Sequence, residues 1–369
     1  MKITDIRFAR LSVPLITPFK TALRSVSNID DLVVLVETDE GVTGYGSAPS
    51  TPVITGDTHG SMLFIIENII KPQLVGMPVD ELQAIVSKIQ KSAVSNTSAK
   101  AAVEIAVYDL WAKSLNAPLN TLLGGGPATL KTDVTISVNP VNEMVADSER
   151  AITDGFDVLK IKIGNDIAQD IERVKAIYEV IKDRAIIRLD VNQGWTAKQT
   201  VYAVNQLENA GVELELIEQP VKSHDIDGMR FVTQRVNTPV MADESAFSPR
   251  QVIELLETGA ADIINIKLMK TGGLSNALKI ADIASSYQAE CMIGCMLEGS
   301  IGVAAAAHLA SARSQVINKI DLDGPALGKF DPVQGGATFN KSLIELGRGP
   351  GLGIESIEGL QPLVNGVWQ

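Results

Sequence analysis

From residue 133 onward the chain repeats one unit, an apolar strand-like run followed by a segment of helical length, and this alternation leaves few folds open. VTISVN, DVLKIKI, AIIRLDV, LELIEQP, PVMADES, IINIKLM, ECMIGCM and INKIDLD make eight strands, the number of a closed barrel, with the last over 317–323. Polar residues stand where these runs stop: Lys160 and Lys162, then Asp190, Glu218, Asp243 and Lys267, and finally Asp321 and Asp323. From Lys162 to Lys267 the rungs of successive strands are about 25 to 28 residues apart, the length of a strand, a helix and two short loops. In a (β/α) barrel the C-terminal strand ends converge on one mouth, so the ladder is a candidate active site.

Residues 1 to about 125 follow a different pattern. KITDIRFARLSVP, DLVVLVETD and the turn-bearing EGVTGYG predict a small antiparallel meander. Helical patterns follow at about 58–74, 79–93 and 98–115; in the last, Val103, Ala106, Val107, Leu110 and Trp111 share one apolar face, and Pro118 marks the stop. The glycine-rich LLGGGPA at 122–128 follows a helix and lacks a Gly-Lys-Ser/Thr signature, so it reads as a connector and not a phosphate loop. After the last strand, GPALGKFDPVQGGATFNKSLIELGRGPGLGI is too rich in turn residues for a closing helix. The expected division is a first domain over 1–125, a barrel over 126–324, and a tail over 325–369 that packs back on the first domain.

With 369 residues and 45% hydrophobic content, the chain is long enough for a large barrel and a smaller unit. A net charge of -12, with no Lys/Arg-rich run, argues against a nucleic-acid partner. MLFIIENII and IGVAAAAHLA are short and interrupted by Glu67 and His308, so no membrane span is expected. MKITDIRFARL never builds the apolar core of a signal peptide, and a cytoplasmic protein is expected. Cys291 and Cys295, in one extended run, are too far apart for a disulfide and read as reduced thiols. The apolar helices of the first domain leave room for subunit contacts, and a homo-oligomer is expected.

Asp190, Glu218 and Asp243 end three consecutive strands, which sets their carboxylates side by side. Each alone reads best as a helix cap or a lysine partner; three in consecutive units point instead to a divalent cation that relieves their repulsion. Oxygen ligands without His or Cys favour Mg²⁺ over Zn²⁺, with Mn²⁺ able to substitute. Asn192, on the same face as Asp190, either supports that metal shell or ends the strand. Lys160 and Lys162 project to one side of their strand, while Lys267 lies across the mouth. Neighbouring ammoniums and a cation are expected to lower lysine pKa values until an amine can abstract a proton. The chemistry such a set suits is removal of a proton next to a carboxylate. A metal ion and Lys160 would stabilise the enediolate, with Lys162 and Lys267 on opposite faces of the α-carbon, so that the stereocentre inverts.

KIK, LDVNQGW, IEQP, ADES and NIKLMKTGG, in this order, resemble the enolase superfamily, muconate lactonizing enzyme subgroup, over essentially the whole chain. The resemblance implies an α/β fold, a (β/α)7β modified TIM barrel with an N-terminal α+β capping domain. It also implies one Mg²⁺ per subunit on Asp190, Glu218 and Asp243, acid/base catalysis by Lys162 and Lys267, and Lys160 beside the substrate carboxylate. Asp321 and Asp323 are similar to the Asp-x-Asp that holds the substrate ammonium in dipeptide epimerases, and two carboxylates at i and i+2 of a strand end suit one cation. In similar enzymes the positions of Thr135 and Cys295 touch the dipeptide backbone, and that of Arg24 meets a side-chain carboxylate in Ala-Glu epimerases.

Specificity is expected from cap loops at about 15–26 and 50–60. Arg24 suits an acidic substrate side chain and Glu298 a basic or neutral one, so the dipeptide's side chain stays open. Ser47 stands where the family often has Glu. An o-succinylbenzoate synthase or N-succinylamino acid racemase shares the lysines but has no evident need for Asp321 and Asp323. A noncatalytic barrel binding a cationic ligand, or a Schiff-base aldolase, accounts less well for lysines opposed around an acidic triad.

Overall fold

The computed structural model describes residues 1–20 and 25–363. Eight parallel strands follow one another in sequence order: Val134–Ile136, Val158–Lys162, Ile186–Asp190, Leu216–Glu218, Val240–Ala242, Ile263–Ile266, Glu290–Gly294 and Ile317–Asp321. The first and last strands meet where Asp133 N–H donates to Ile320 O at 3.2 Å and Leu322 N–H donates to Thr132 Oγ1 at 2.8 Å. Helices follow each of the first seven strands. After the eighth come a 3₁₀ turn, Gly324–Leu327, and short strands. The fold is the (β/α)7β barrel that the resemblance implies, with the eight strands that the spacing predicts.

Alternation within the strands sorts their residues to two sides. Leu159, Ile161, Ile187, Leu189, Ile217, Ile264 and Ile293 join the main core under the helices. Leu216, Met241, Ile263 and Met292 form a separate buried cluster, which the same alternation puts inside the barrel. Buried beside them, Arg188 donates to Asp133 Oδ2 at 2.7 Å and to Ile320 O at 3.2 Å, and pairs with Glu215. Each buried apolar side chain is worth about 1.5–3 kcal/mol. The barrel floor is therefore packed, and it fixes the strand ends above it.

The N-terminal sheet is antiparallel, in the order Gln361–Pro362, Ile3–Lys20, Ser25–Thr38, Thr43–Pro49, so the chain's C-terminal stretch pairs with its first strand. Helix Thr97–Ser114 packs on this sheet with backbone nearly touching backbone. A Cβ at Gly44 would fall 2.2 Å from Ala106 O, and one at Gly46 2.0 Å from Ala102 O. The apolar face expected for this helix is only part of its buried surface: every residue from Ser98 to Leu110 is buried. It is enclosed because the sheet covers one side while the barrel's Leu268–Thr271 and Leu274–Ser286 helices cover another. Among the described residues no helix is long and apolar enough to cross a membrane, and both cysteines are free.

Candidate active site

The parallel register aligns the ladder. Lys160 pairs with Arg188 and Lys162 with Asp190 across one strand pair, and Asp190 pairs with Glu218 across the next. Lys160 Nζ lies 2.7 Å from Glu218 Oε2, 2.7 Å from Asp321 Oδ2 and 3.1 Å from Asp190 Oδ2. Lys162 Nζ donates to Asp190 Oδ2 at 2.5 Å. Lys267, one residue beyond the sixth strand, donates to Asp243 Oδ2 at 2.9 Å. Its strand is four along from that of Lys162 in an eight-stranded barrel, so the two lysines enter from opposite walls.

These charges are buried, and their balance decides their protonation. Burial opposes the charge on Lys160, but Asp321, Glu218 and Asp190 outweigh it and hold the ammonium well above its usual pKa. Burial likewise opposes Lys267, and Asp243 outweighs it. The carboxylates beside Lys160 and Lys267 thus oppose the lowering expected from cationic neighbours and a metal ion. On the acidic side, burial is overcome for Asp190 by Lys162 and Lys160 and for Asp243 by Lys267 and Lys270, so both are held low. Burial, with Asp190 adding to it, pushes Glu218 up to about 8.

Above this base lies a small cleft. Lys160, Lys162, Lys267, Thr135, Asn192, Cys295, Asp321 and Asp323 all line it, so the structure brings these candidate residues together. Asp323 Oδ2 accepts from Thr135 N–H at 2.8 Å. Burial and the neighbouring Asp321 push Asp323 up to about 6, whereas Lys160 and Lys267 overcome burial to hold Asp321 low. Phe19, Val53, Ile54, Met296, Leu297 and Leu327 give the cleft an apolar wall. Phe19, Val53 and Ile54 belong to the two cap stretches expected to cover the mouth. Arg24 lies outside the described residues. Glu298 is buried behind the wall, where its Oε1 accepts from Met296 N–H at 2.7 Å, and Ser47 is buried on the third cap strand.

The residues that could hold a metal are Asp190, Glu218 and Asp243. Among the described residues no three acidic, His or Cys side chains converge into a ready-made cage, since lysine ammoniums stand between these carboxylates. The donor set still fits a hard divalent ion. All its donors are buried carboxyl oxygens, and Glu218 Oε2 and Asp243 Oδ1 receive no aligned hydrogen bond although each touches a lysine ammonium.

Three further residues support the base, and Glu244 is buried next to Asp243. Lys270, fully buried, reaches Asp243 Oδ1 at 2.5 Å and donates to Asp243 O and Asn265 O. Asn265 Nδ2 donates to Glu218 Oε1 at 2.8 Å. Gln219 Oε1 accepts from the N–H groups of Asp243 and Ser245. Burial and Asp243 push Glu244 up to about 7. Asn265 carried a legible signal, a polar residue at an inward strand position two before Lys267. Lys270 carried none, because it stands past the strand on a single helical turn.

The family model described as Enolase C-terminal domain-like matches residues 143–359, and that for the mandelate racemase / muconate lactonizing enzyme N-terminal domain matches residues 3–124. The chain is 51% identical over 357 residues to the L-Ala-D/L-Glu epimerase of Clostridium acetobutylicum, covering 97% of this chain and 99% of the relative. A substrate-liganded complex of the L-Ala-D/L-Glu epimerase from Bacillus subtilis superposes with a TM-score of 0.95 at 46% identity, covering 97% of this chain and 99% of that one. The dipeptide epimerase from Enterococcus faecalis V583, complexed with Mg and the dipeptide L-Leu-L-Tyr, gives a TM-score of 0.93 at 40% identity, covering 96% of this chain and 100% of that one.

Proposed function

Because the chain belongs to the enolase superfamily, in its mandelate racemase / muconate lactonizing enzyme family, we propose that it is a Mg²⁺-dependent dipeptide epimerase, an isomerase in which Lys162 and Lys267 invert the α-carbon of one dipeptide residue. The observation that carries this reading is the shared cleft. Lys162 and Lys267 enter it from opposite walls, Lys160 lies at its base, and Asp321 and Asp323 stand at one end. The names of the relatives support the same chemistry, and they differ among themselves in the side chains accepted.

In this reading Asp190, Glu218 and Asp243 hold Mg²⁺ and Asn192 stands beside them. When bound, the ion supplies positive charge that stabilises the substrate carboxylate as its α-proton leaves. Lys160 presents an ammonium to the same carboxylate and lowers the cost of the charge gathering there. Lys162 takes or returns the proton on one face of the α-carbon and Lys267 on the other, so that a proton removed from one side is replaced from the opposite one. Asp321 and Asp323 hold the free α-ammonium, with Thr135 fixing one oxygen of Asp323 and Cys295 lining the adjacent wall. Phe19, Val53, Ile54 and Leu327 exclude water from the side-chain end of the dipeptide. We take residues 1–125 with the tail from about 325 as the cap that supplies this wall, and 126–324 as the barrel that supplies the charges.

The test is a panel of L,L-dipeptides with acidic, apolar and basic second residues, incubated with Mg²⁺ in D₂O. α-Deuteration with appearance of the second epimer is expected for at least one class. Absence of both across the panel overturns the reading.

A further inference from the structure

The cap does more than cover the cleft, because one of its buried carboxyls reaches the segment that carries Lys267. Glu104 lies on helix Thr97–Ser114 and is wholly buried. Its Oε1 accepts from Ser275 N–H at 2.5 Å, and its Oε2 accepts from Ser275 Oγ at 3.1 Å and Gln90 Nε2 at 2.6 Å. Gln90 Nε2 also donates to Gly272 O at 2.7 Å, and Asn276 Nδ2 joins Gln90 Oε1 to Thr271 O.

Ser275 is the second residue of helix Leu274–Ser286, whose N-cap is Gly273 and so has no side chain with which to cap it. The first N–H groups of a helix lack partners within it and favour a carboxylate nearby. Glu104 supplies from the cap what an Asp or Ser at the N-cap supplies elsewhere. The approach requires glycine. Gly273 has φ +121°, and a Cβ there would fall 2.7 Å from Glu104 Cδ and Oε1.

Between Lys267 and this grip lies a single rigid turn. Lys267 O accepts from the N–H groups of Lys270 and Thr271, and Leu268 O accepts from those of Gly272 and Gly273. Lys270 ties the front of the turn to Asp243 and Asn265, while Glu104 and Gln90 tie its back to the cap. Lys162 is held differently, within a strand paired on both sides. We propose that Glu104 is a positioning residue for Lys267 that acts through Ser275 and beside Gln90, and that it has no corresponding hold on Lys162.

This assignment rests on the epimerase reading, in which the two lysines serve opposite faces of one carbon, and that geometry supplies its test. α-Proton exchange in D₂O is measured separately on each epimer of a dipeptide turned over by the wild-type protein. Lys267→Ala identifies the epimer exchanged through Lys267. Glu104→Ala is expected to slow exchange of that epimer on the order of tenfold to a hundredfold, as small misplacements of a reacting group do, and to leave the other within about twofold. Glu104→Gln, which keeps an acceptor for Ser275 N–H, is expected to restore most of the lost rate. Where Glu104→Ala does not fold, Gln90→Ala, which frees Gly272 O and removes the Gln90 bonds to Glu104 and Asn276, is expected to show the same asymmetry. Equal slowing of both epimers, or slowing of neither, overturns the assignment and leaves the epimerase reading standing. A wild-type protein that exchanges neither epimer overturns both.

Discussion

Asp323→Asn isolates the amine-binding end of the cleft with little change of shape. In the wild-type protein the buried Asp323 carboxyl accepts from Thr135 N–H at Oδ2 and also bonds the Thr135 side chain. An asparagine oxygen can keep the Thr135 contact, so the substitution removes the charge and one charge-assisted hydrogen bond to the substrate ammonium. Such a bond is worth about 1.5–3 kcal/mol. At 1.36 kcal/mol per factor of ten, kcat/KM for a free dipeptide should fall about 10- to 150-fold. Burial and Asp321 push Asp323 up to about 6, so the charged form fades as pH falls through that value. Wild-type kcat/KM should therefore decline below pH about 6, and the variant should lose that limb of the profile. The assay compares each dipeptide with its N-acetylated form, which carries no ammonium and should be a poor substrate for both proteins with little difference between them. An equal loss on free and acetylated substrates, or none on either, refutes the assignment of Asp323 to the ammonium.

Two other outcomes concern the frame. Arg188→Met leaves Asp133 buried without its cation and should cost about 3–5 kcal/mol in urea unfolding; a cost under about 1 kcal/mol contradicts the packed floor. His308, buried with Nδ1 accepting from Asn120 N–H at 3.0 Å, is pushed down to about 4 by burial. The unfolded chain takes up this proton first as pH falls below about 6.5, so stability should be full above that pH and be lost towards pH 4, by on the order of 3 kcal/mol. His308→Gln should flatten the slope in that window, and an unchanged slope contradicts the role given to His308.

The parts of the molecule legible in the sequence share one physical cause. Parallel strands buried on both faces need runs of Val, Leu and Ile, so Asp190, Glu218 and Asp243 stand out where each run stops. The fold class followed from that contrast. Sequence patterning misled for helix Thr97–Ser114, whose apolar face is only the part of its surface that a periodicity can show. Its Glu104 is buried against Ser275 of the barrel and its Ser98 against Thr55 and Asp57 of the cap, which are tertiary facts. Lys270 was hidden for a related reason: its contact with Asp243 depends on a turn that folds it back over the sixth strand. Sequence order shows Lys160 beside Lys162 but not Asp321, which is 161 residues away, lies 2.7 Å from Lys160 and favours its ammonium.

The central claim is that Lys162 and Lys267 act from opposite faces of one α-carbon in the Mg²⁺-loaded protein. The measurement that meets it most directly is α-proton exchange in D₂O on each pure epimer, followed by NMR, for the wild type, Lys162→Ala and Lys267→Ala. The wild type should exchange and interconvert both epimers and stop when EDTA removes the metal. Each variant should exchange one epimer alone, the two variants choosing opposite ones, and neither should interconvert them. A variant that still interconverts the epimers at the wild-type rate, or two variants that exchange the same epimer, would contradict the account.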